Sequence, residues 1–205
     1  MKKHLLITLK YAAFWGIAEA TLGYILHFIQ FTTGLRDISG FVMFPIGLFF
    51  MLLAYRETGD EASIFYTGLF AGGIKLIDLF IPGLPKGATI NPAMAIIIES
   101  GIVFAGMRYL KPSRIVYYLP LLSPIWRTVF VLALSISPVS KGILNKGHVA
   151  VLYFILIEGI VSGLLCIPVY KWIDTLRKPR IKLHPTLTLP LILLALIVEF
   201  ITNIL

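Results

Sequence analysis

Apolar runs of helix length, each broken by only a few charged residues, recur along this whole chain. Five or more of them approach or exceed the roughly 18 residues that a helix needs to cross a bilayer. A chain built this way has few options. In hydrocarbon every backbone N–H and C=O must be bonded within its own element, so such runs fold as helices. A transmembrane β-barrel would need alternating strands of about ten residues, and the runs are not of that kind. The pattern predicts an all-α integral membrane protein, a compact bundle of six or seven transmembrane helices forming one domain over residues 1–205.

Composition agrees. The chain is 58% hydrophobic and 14% charged, where a soluble domain carries about 25% charged residues. The formal charge of +8 points away from nucleic acid, because Lys and Arg gather in short loops where they set topology. Cys166 is the single cysteine and has no partner for an internal disulfide. Met-Lys-Lys-His followed by Leu5–Gln30 mimics a signal peptide, but the run is too long and no small-residue cleavage site precedes a soluble domain. It reads as a retained first span.

The stretch Ile64–Gly106 carries the most information. Two apolar runs are joined by Pro82-Gly83-Leu84-Pro85-Lys86-Gly87, and both hold charge: Lys75 and Asp78 in the first, Glu99 in the second. This is the pattern of a helical hairpin whose charges face a polar interior. Lys75 and Asp78 are three apart, so they are neighbours on a helix and pair locally.

The other spans follow in order. Span 1, Leu5–Gln30, contains Glu19 and repeats Ala12, Gly16 and Ala20 every four residues, a small face that admits another helix closely. Span 2, about Gly40–Tyr55, is short and contains Pro45. The acidic loop Arg56–Ser63 leads into span 3, about Ile64–Ile81, thinned by Gly68, Ala71, Gly72 and Gly73. Span 4, about Asn91–Tyr109, is expected to be capped by Thr89 or Asn91 with Pro92 at its first position. Span 5, Ile115–Ile136, carries Pro120 and Pro124 and is expected to kink or unwind there. Span 6, about His148–Trp172, carries Glu158 beside Gly159 and Gly163. The last run, Leu189–Leu205, has 17 residues and holds Glu199; it is just long enough to cross. IIIESGIVFAG in span 4 is similar to LIEGIVSGLL in span 6, a short match of the sort that apolar runs produce by chance.

With the N-terminus inside, the inner segments hold 11 Lys and Arg: Lys2, Lys3, Arg56, Arg108, Lys111, Arg114, Lys171, Arg177, Lys178, Arg180 and Lys182. The outer loops hold 4: Arg36, Lys86, Lys141 and Lys146. The bias predicts a multi-pass protein of the cell membrane with a cytoplasmic N-terminus.

A charge at bilayer depth costs about 2.5–3.5 kcal/mol on insertion scales. Glu19, Lys75, Asp78, Glu99, Arg127, Glu158 and Glu199 therefore need partners or water. Structural pairing accounts for Lys75 with Asp78. It leaves Glu19, Glu99 and Glu158 facing only Arg127. These carboxylates are either protonated or bind a cation, a proton or a cationic group on a solute. Trp15 and Trp126 lie beside Glu19 and Arg127 rather than at a span end, as aromatics of a ligand pocket would. The candidate substrate-binding set is Glu19, Lys75, Asp78, Glu99, Arg127, Glu158, Trp15 and Trp126. His27, eight residues from Glu19, is about 12 Å away along the helix axis, too far for one metal, and reads as interfacial. No HExxH, cysteine pair, serine elbow, P-loop or dinucleotide fingerprint occurs, so no metal, cofactor or nucleotide hydrolysis is implied.

Asn91-Pro92-Ala93 resembles the Asn-Pro-Ala box of aquaporins. That family carries two boxes in a longer chain, and this chain has one. The small face Ala12-x-x-x-Gly16-x-x-x-Ala20, with the chain's size and span count, resembles the S component of energy-coupling-factor transporters. The resemblance implies a substrate-binding membrane subunit for a vitamin or metal ion, energised by a scaffold and ATPase subunits. In that family the small face meets the scaffold, and a seventh span is a departure from its usual six. The expectation is a small membrane transporter or substrate-binding subunit for a small polar solute, vitamin-like or an ion. An intramembrane lipid-modifying enzyme and an assembly subunit of a membrane complex are the alternatives.

Overall fold

A computed structural model describes residues 2–33, 38–110, 115–176 and 187–204, without the side chains of Lys2 and His27. The expectations placed on Arg36, Lys111, Arg114, Arg177, Lys178, Arg180 and Lys182, and on the side chains of Lys2 and His27, lie outside the described residues. The elements are α1 (Lys2–Thr33), α2 (Ile38–Thr58), α3 (Ala62–Lys75) continued by a 3-10 turn (Leu76–Phe80), and α4 (Lys86–Tyr109). Then come α5 (Ile115–Ile136), a 3-10 turn (Gly142–Lys146), α6 (His148–Thr175) and α7 (Thr188–Thr202). No strand occurs among the described residues. Six helices, α1 to α6, are long and apolar enough to cross a membrane.

The last run is shorter than its apolar stretch suggests. α7 has 15 residues, a length of about 22 Å, against a hydrocarbon core of about 30 Å. It ends where the Asn203 side chain turns back to donate to the Glu199 carbonyl at 3.0 Å. It packs along α1 and α3, with Ala195 in a small cluster with Ala13 and Ile74.

Polar contacts fix the helix directions. Lys10 Nζ and Tyr11 Oη reach Glu57 Oε2 at 2.7 and 2.6 Å, while the Gln30 amide lies 3.1 Å from Ser39 Oγ at the other end, so α1 and α2 are antiparallel. Span 2 was expected over about Gly40–Tyr55, but its helix continues to Thr58 because Arg56 and Glu57 both find partners. Arg56 donates to the carbonyls of Ile173 and Leu176 at 2.6 and 2.9 Å, satisfying the open end of α6. The acidic loop shrinks to the tight turn Gly59–Glu61, where Gly59 sits at φ 72°.

Glycines bring helices into backbone contact. A Cβ on Gly72 would lie 3.0 Å from the Ala93 carbonyl, and one on Gly16 would lie 3.0 Å from Ile74 Cγ2. The small face of α1 is thus buried within this chain, against α3. The two prolines of α5 meet the two glycines of α6 in register. A Cβ on Gly163 would come 2.6 Å from Pro120 Cα, and one on Gly159 would come 3.1 Å from Pro124 Cα. α5 stays helical through both prolines, which corrects the unwinding expected there. The glycines leave room for the pyrrolidine rings, and the close α6 backbone holds the weakened turn. Within α6, Tyr153–Glu158 forms a π-helical turn, which the sequence pattern did not foretell.

The start of α4 is a second correction. Thr89 and Asn91 are not caps; the helix begins at Lys86 after Pro85, and Pro92 lies inside it. Pro85 already holds an extended ψ of 128° at the entry, so the helix starts there. The internal proline then forfeits one hydrogen bond and the six preceding residues stay helical. Asn91 Nδ2 instead donates to Ser140 Oγ at 3.1 Å, tying α4 to the segment after α5.

Candidate functional site

Seven ionisable side chains from α1, α3 with its 3-10 turn, α4, α5, α6 and α7 gather in the interior as two paired groups with a gap between. The first group surrounds Arg127. Its Nη1 lies 3.0 Å from Glu158 Oε2 and its Nη2 donates to the Gly40 carbonyl at 2.5 Å. The guanidinium carbon is 4.8 Å from the Trp126 ring centre and 4.4 Å from that of Phe154. Arg127 is 1% exposed. A flat delocalised cation suits this box, since its faces stack on rings while its edges donate. A Cβ on Gly40 would overlap the Glu158 carboxylate, so a larger residue there must displace that side chain.

The second group surrounds Lys75. Lys75 closes α3 and Asp78 lies in the 3-10 turn, where side chains three apart eclipse one another. Their Nζ and Oδ2 are 3.0 Å apart. Lys75 Nζ also pairs with Glu199 Oε1 from α7. Asn203 Nδ2 donates to Asp78 Oδ2 and to Glu199 Oε1, both at 3.1 Å. The expected local pair is present, and a second carboxylate has joined it. Pairs 75–199 and 78–203 rise together in number, so α7 runs parallel to α3.

Between the groups lie Glu19 and Glu99. Glu99 is 5% exposed and makes no hydrogen bond or ion pair among the described residues. The charges that act on it are those of Glu19 and Arg127, and Arg127 is already paired with Glu158. Glu19 is half-buried, equally unpaired, and within electrostatic reach of Lys75. Trp15, 0% exposed, borders the same spot: a Cβ on Gly47 would lie 2.5 Å from Trp15 Cζ2 and 2.7 Å from Glu99 Oε1. The glycine lets indole and carboxylate reach the α2 backbone together. Among the described residues, Trp15 Nε1, Trp126 Nε1 and Arg127 Nε are buried donors without acceptors.

All eight candidate residues face the interior, but they form three settings rather than one pocket. Glu158 and Trp126 belong with Arg127. Lys75 and Asp78 belong with Glu199 and Asn203. Glu19, Glu99 and Trp15 stand between. Sequence reading left Asn203, Gly40 and Gly47 unmarked, since nothing in their local pattern gives away a contact with a distant helix. Lys10 and Glu57 form a further buried pair that local spacing also hides. Ser100 packs on Gly68 and donates to the Ile97 carbonyl at 2.8 Å, as a helix-packing serine. Among the described residues, no three of His, Cys, Asp and Glu converge closely enough to hold a metal ion.

The charge count is unequal. Among the described residues, five carboxylates, Asp78, Glu199, Glu19, Glu99 and Glu158, share this interior with two cations, Lys75 and Arg127. Comparison with family models, with curated proteins and with solved structures gives no match to this chain.

Proposed function

We propose that this chain is a small multi-pass membrane transporter, or the substrate-binding membrane subunit of one, whose central site at Glu19 and Glu99 takes a small solute through a positively charged group. One observation carries the reading: among the described residues Glu99 is a buried carboxylate without a partner, and beside it the Trp15 indole N–H lacks an acceptor. A buried carboxylate left alone costs several kcal/mol. An ammonium or similar cation between Glu19 and Glu99 offsets that cost, and an acceptor on the same solute meets Trp15. Lys75 and Arg127 are engaged by carboxylates, which favours a cationic group over a carboxylate or phosphate on the solute.

The bound solute sits among α1, α2 and α4, and release requires those helices to part. Pro45 in α2 and the proline pair of α5 are the places where bending forfeits least hydrogen bonding. The count of 11 basic residues against 4 favours a cytoplasmic N-terminus in the cell membrane. If the chain works with a scaffold and ATPase subunits, as the S-component resemblance implies, the partner docks elsewhere than on Gly16, which lies against Ile74.

The test is thermal unfolding of the purified protein with a panel of small amines, diamines and quaternary ammonium compounds, alongside native mass spectrometry for a co-purifying solute. A stabilising amine whose effect disappears in Glu99→Gln and survives in Glu57→Gln supports the reading. A panel with no effect, and a native mass equal to the bare chain, removes it.

A further inference from the structure

We propose that Asp78 and Glu199 together hold one proton, which makes the Lys75 centre a proton-binding site completed by the last helix. The inference stands apart from whatever Glu19 and Glu99 bind. Two carboxylates, 1% and 0% exposed, share one ammonium. The groups facing Glu199 are Lys75 from α3, Asp78 from the 3-10 turn and Asn203 from its own helix, with Glu19 of α1 within reach of Lys75. One negative charge is left over before Glu19 is counted.

The hydrogen bonds locate the surplus. Lys75 and Asn203 both engage Asp78 Oδ2 and Glu199 Oε1, the inner oxygens of each acid. The outer oxygens, Asp78 Oδ1 and Glu199 Oε2, are buried without a hydrogen-bond partner among the described residues. A carboxylate only accepts, whereas a protonated acid also donates. Two like charges in one buried site cannot both ionise cheaply, and a single proton resolves this. Two orphaned oxygens are too few for a hard metal cation, which takes about six. The step is a bare protonation: a carboxylate oxygen takes a proton from water to form O–H, and release returns it. Phe80 and Ile204, close in sequence to this centre, are exposed, at 76% and 58%, so the centre lies near the end of α3 and α7.

The experiment uses the full chain in lipid nanodiscs, in a Glu19→Gln/Glu99→Gln background that silences the central carboxylates. Infrared difference spectra between acid and alkaline pH are expected to show a protonated-carboxyl C=O band lost on raising the pH. Adding Glu199→Gln or Asp78→Asn should remove or shift that band. Thermal unfolding gives a second readout. The folded chain holds a proton that the unfolded chain releases, so stability falls as pH rises, with a slope of about one proton per chain. Glu199→Gln should flatten the slope. The proposal is overturned by any of three results: no such band in the background protein, a band unmoved by both added substitutions, or stabilisation by Na⁺ over K⁺ at alkaline pH with no carboxyl band.

Discussion

Arg127 and Lys75 are both buried cations, yet their surroundings differ in kind. Arg127 has one carboxylate, one backbone carbonyl and two aromatic faces, and its charge is balanced. Lys75 has two carboxylates and an amide, and its neighbourhood carries an excess of acid. The arginine centre is closed at its two terminal nitrogens, which Glu158 and the Gly40 carbonyl hold, so an exchangeable ligand there would have to displace a bonded partner. The lysine centre is open to a proton, because a compact ammonium accepts several arrangements of its acids. The difference teaches that charge inside the bundle serves two ends, holding helices together at one place and leaving room for exchange at another.

The sharpest way to break this contrast is Arg127→Ala. It removes the Arg127 partner of the buried Glu158 carboxylate, and the expected loss is about 3–5 kcal/mol, measured by reversible unfolding in mixed micelles. Arg127→Lys should recover little, because an ammonium cannot bond Glu158 and the Gly40 carbonyl while stacking on Trp126 and Phe154 as a plane. A cost of less than about 1 kcal/mol, the range of an exposed pair, would mean the arginine centre is not structural.

Next comes the seam that positions it. Gly163→Val drives a side chain into Pro120 and should cost about 1–3 kcal/mol by overpacking. Gly73→Ala, which faces open space, should be neutral or slightly stabilising by helix propensity. Equal effects of the two substitutions would show that α5 and α6 do not meet in this register.

The smallest expected effect on stability belongs to Glu99→Gln. Removing an unpaired buried charge should leave stability unchanged or raise it by about 1 kcal/mol, while the response to amines is lost. A large destabilisation would reveal a partner for Glu99 and move it into the structural class with Glu158.

Much of this fold was legible in the chain. Ile115–Ile136 emerges as read from the apolar run, and the small residues of span 3 are where α3 meets α4. Lys75 with Asp78 was visible because helical neighbours three apart can be counted along a sequence. What was hidden is long-range. Glu199 lies 124 residues from Lys75, and no local spacing links them. Gly40 and Gly47 matter through what their missing side chains admit, which only the opposing helix reveals. Pro92 misled because a proline at a helix start is common, while Pro85, seven residues earlier, already met that need. The π turn left no mark because five apolar residues followed by Glu158 look alike in either kind of helix.

The order of the Lys75 partners along the chain has a consequence for biogenesis. Asp78 leaves the ribosome almost with Lys75, but Glu199 follows 124 residues later, roughly 6–25 s at ordinary rates of synthesis. On the proposed membrane reading, α3 enters lipid during that interval with Asp78 as the ammonium's local counter-charge. Asp78 then acts as an escort, and Glu199 as the partner that relieves it. Asp78→Asn should therefore lower the yield of inserted protein more than Glu199→Gln does, as scored by protease protection in newly made chains. Equal yields would mean that the bundle waits for its last helix before Lys75 goes in.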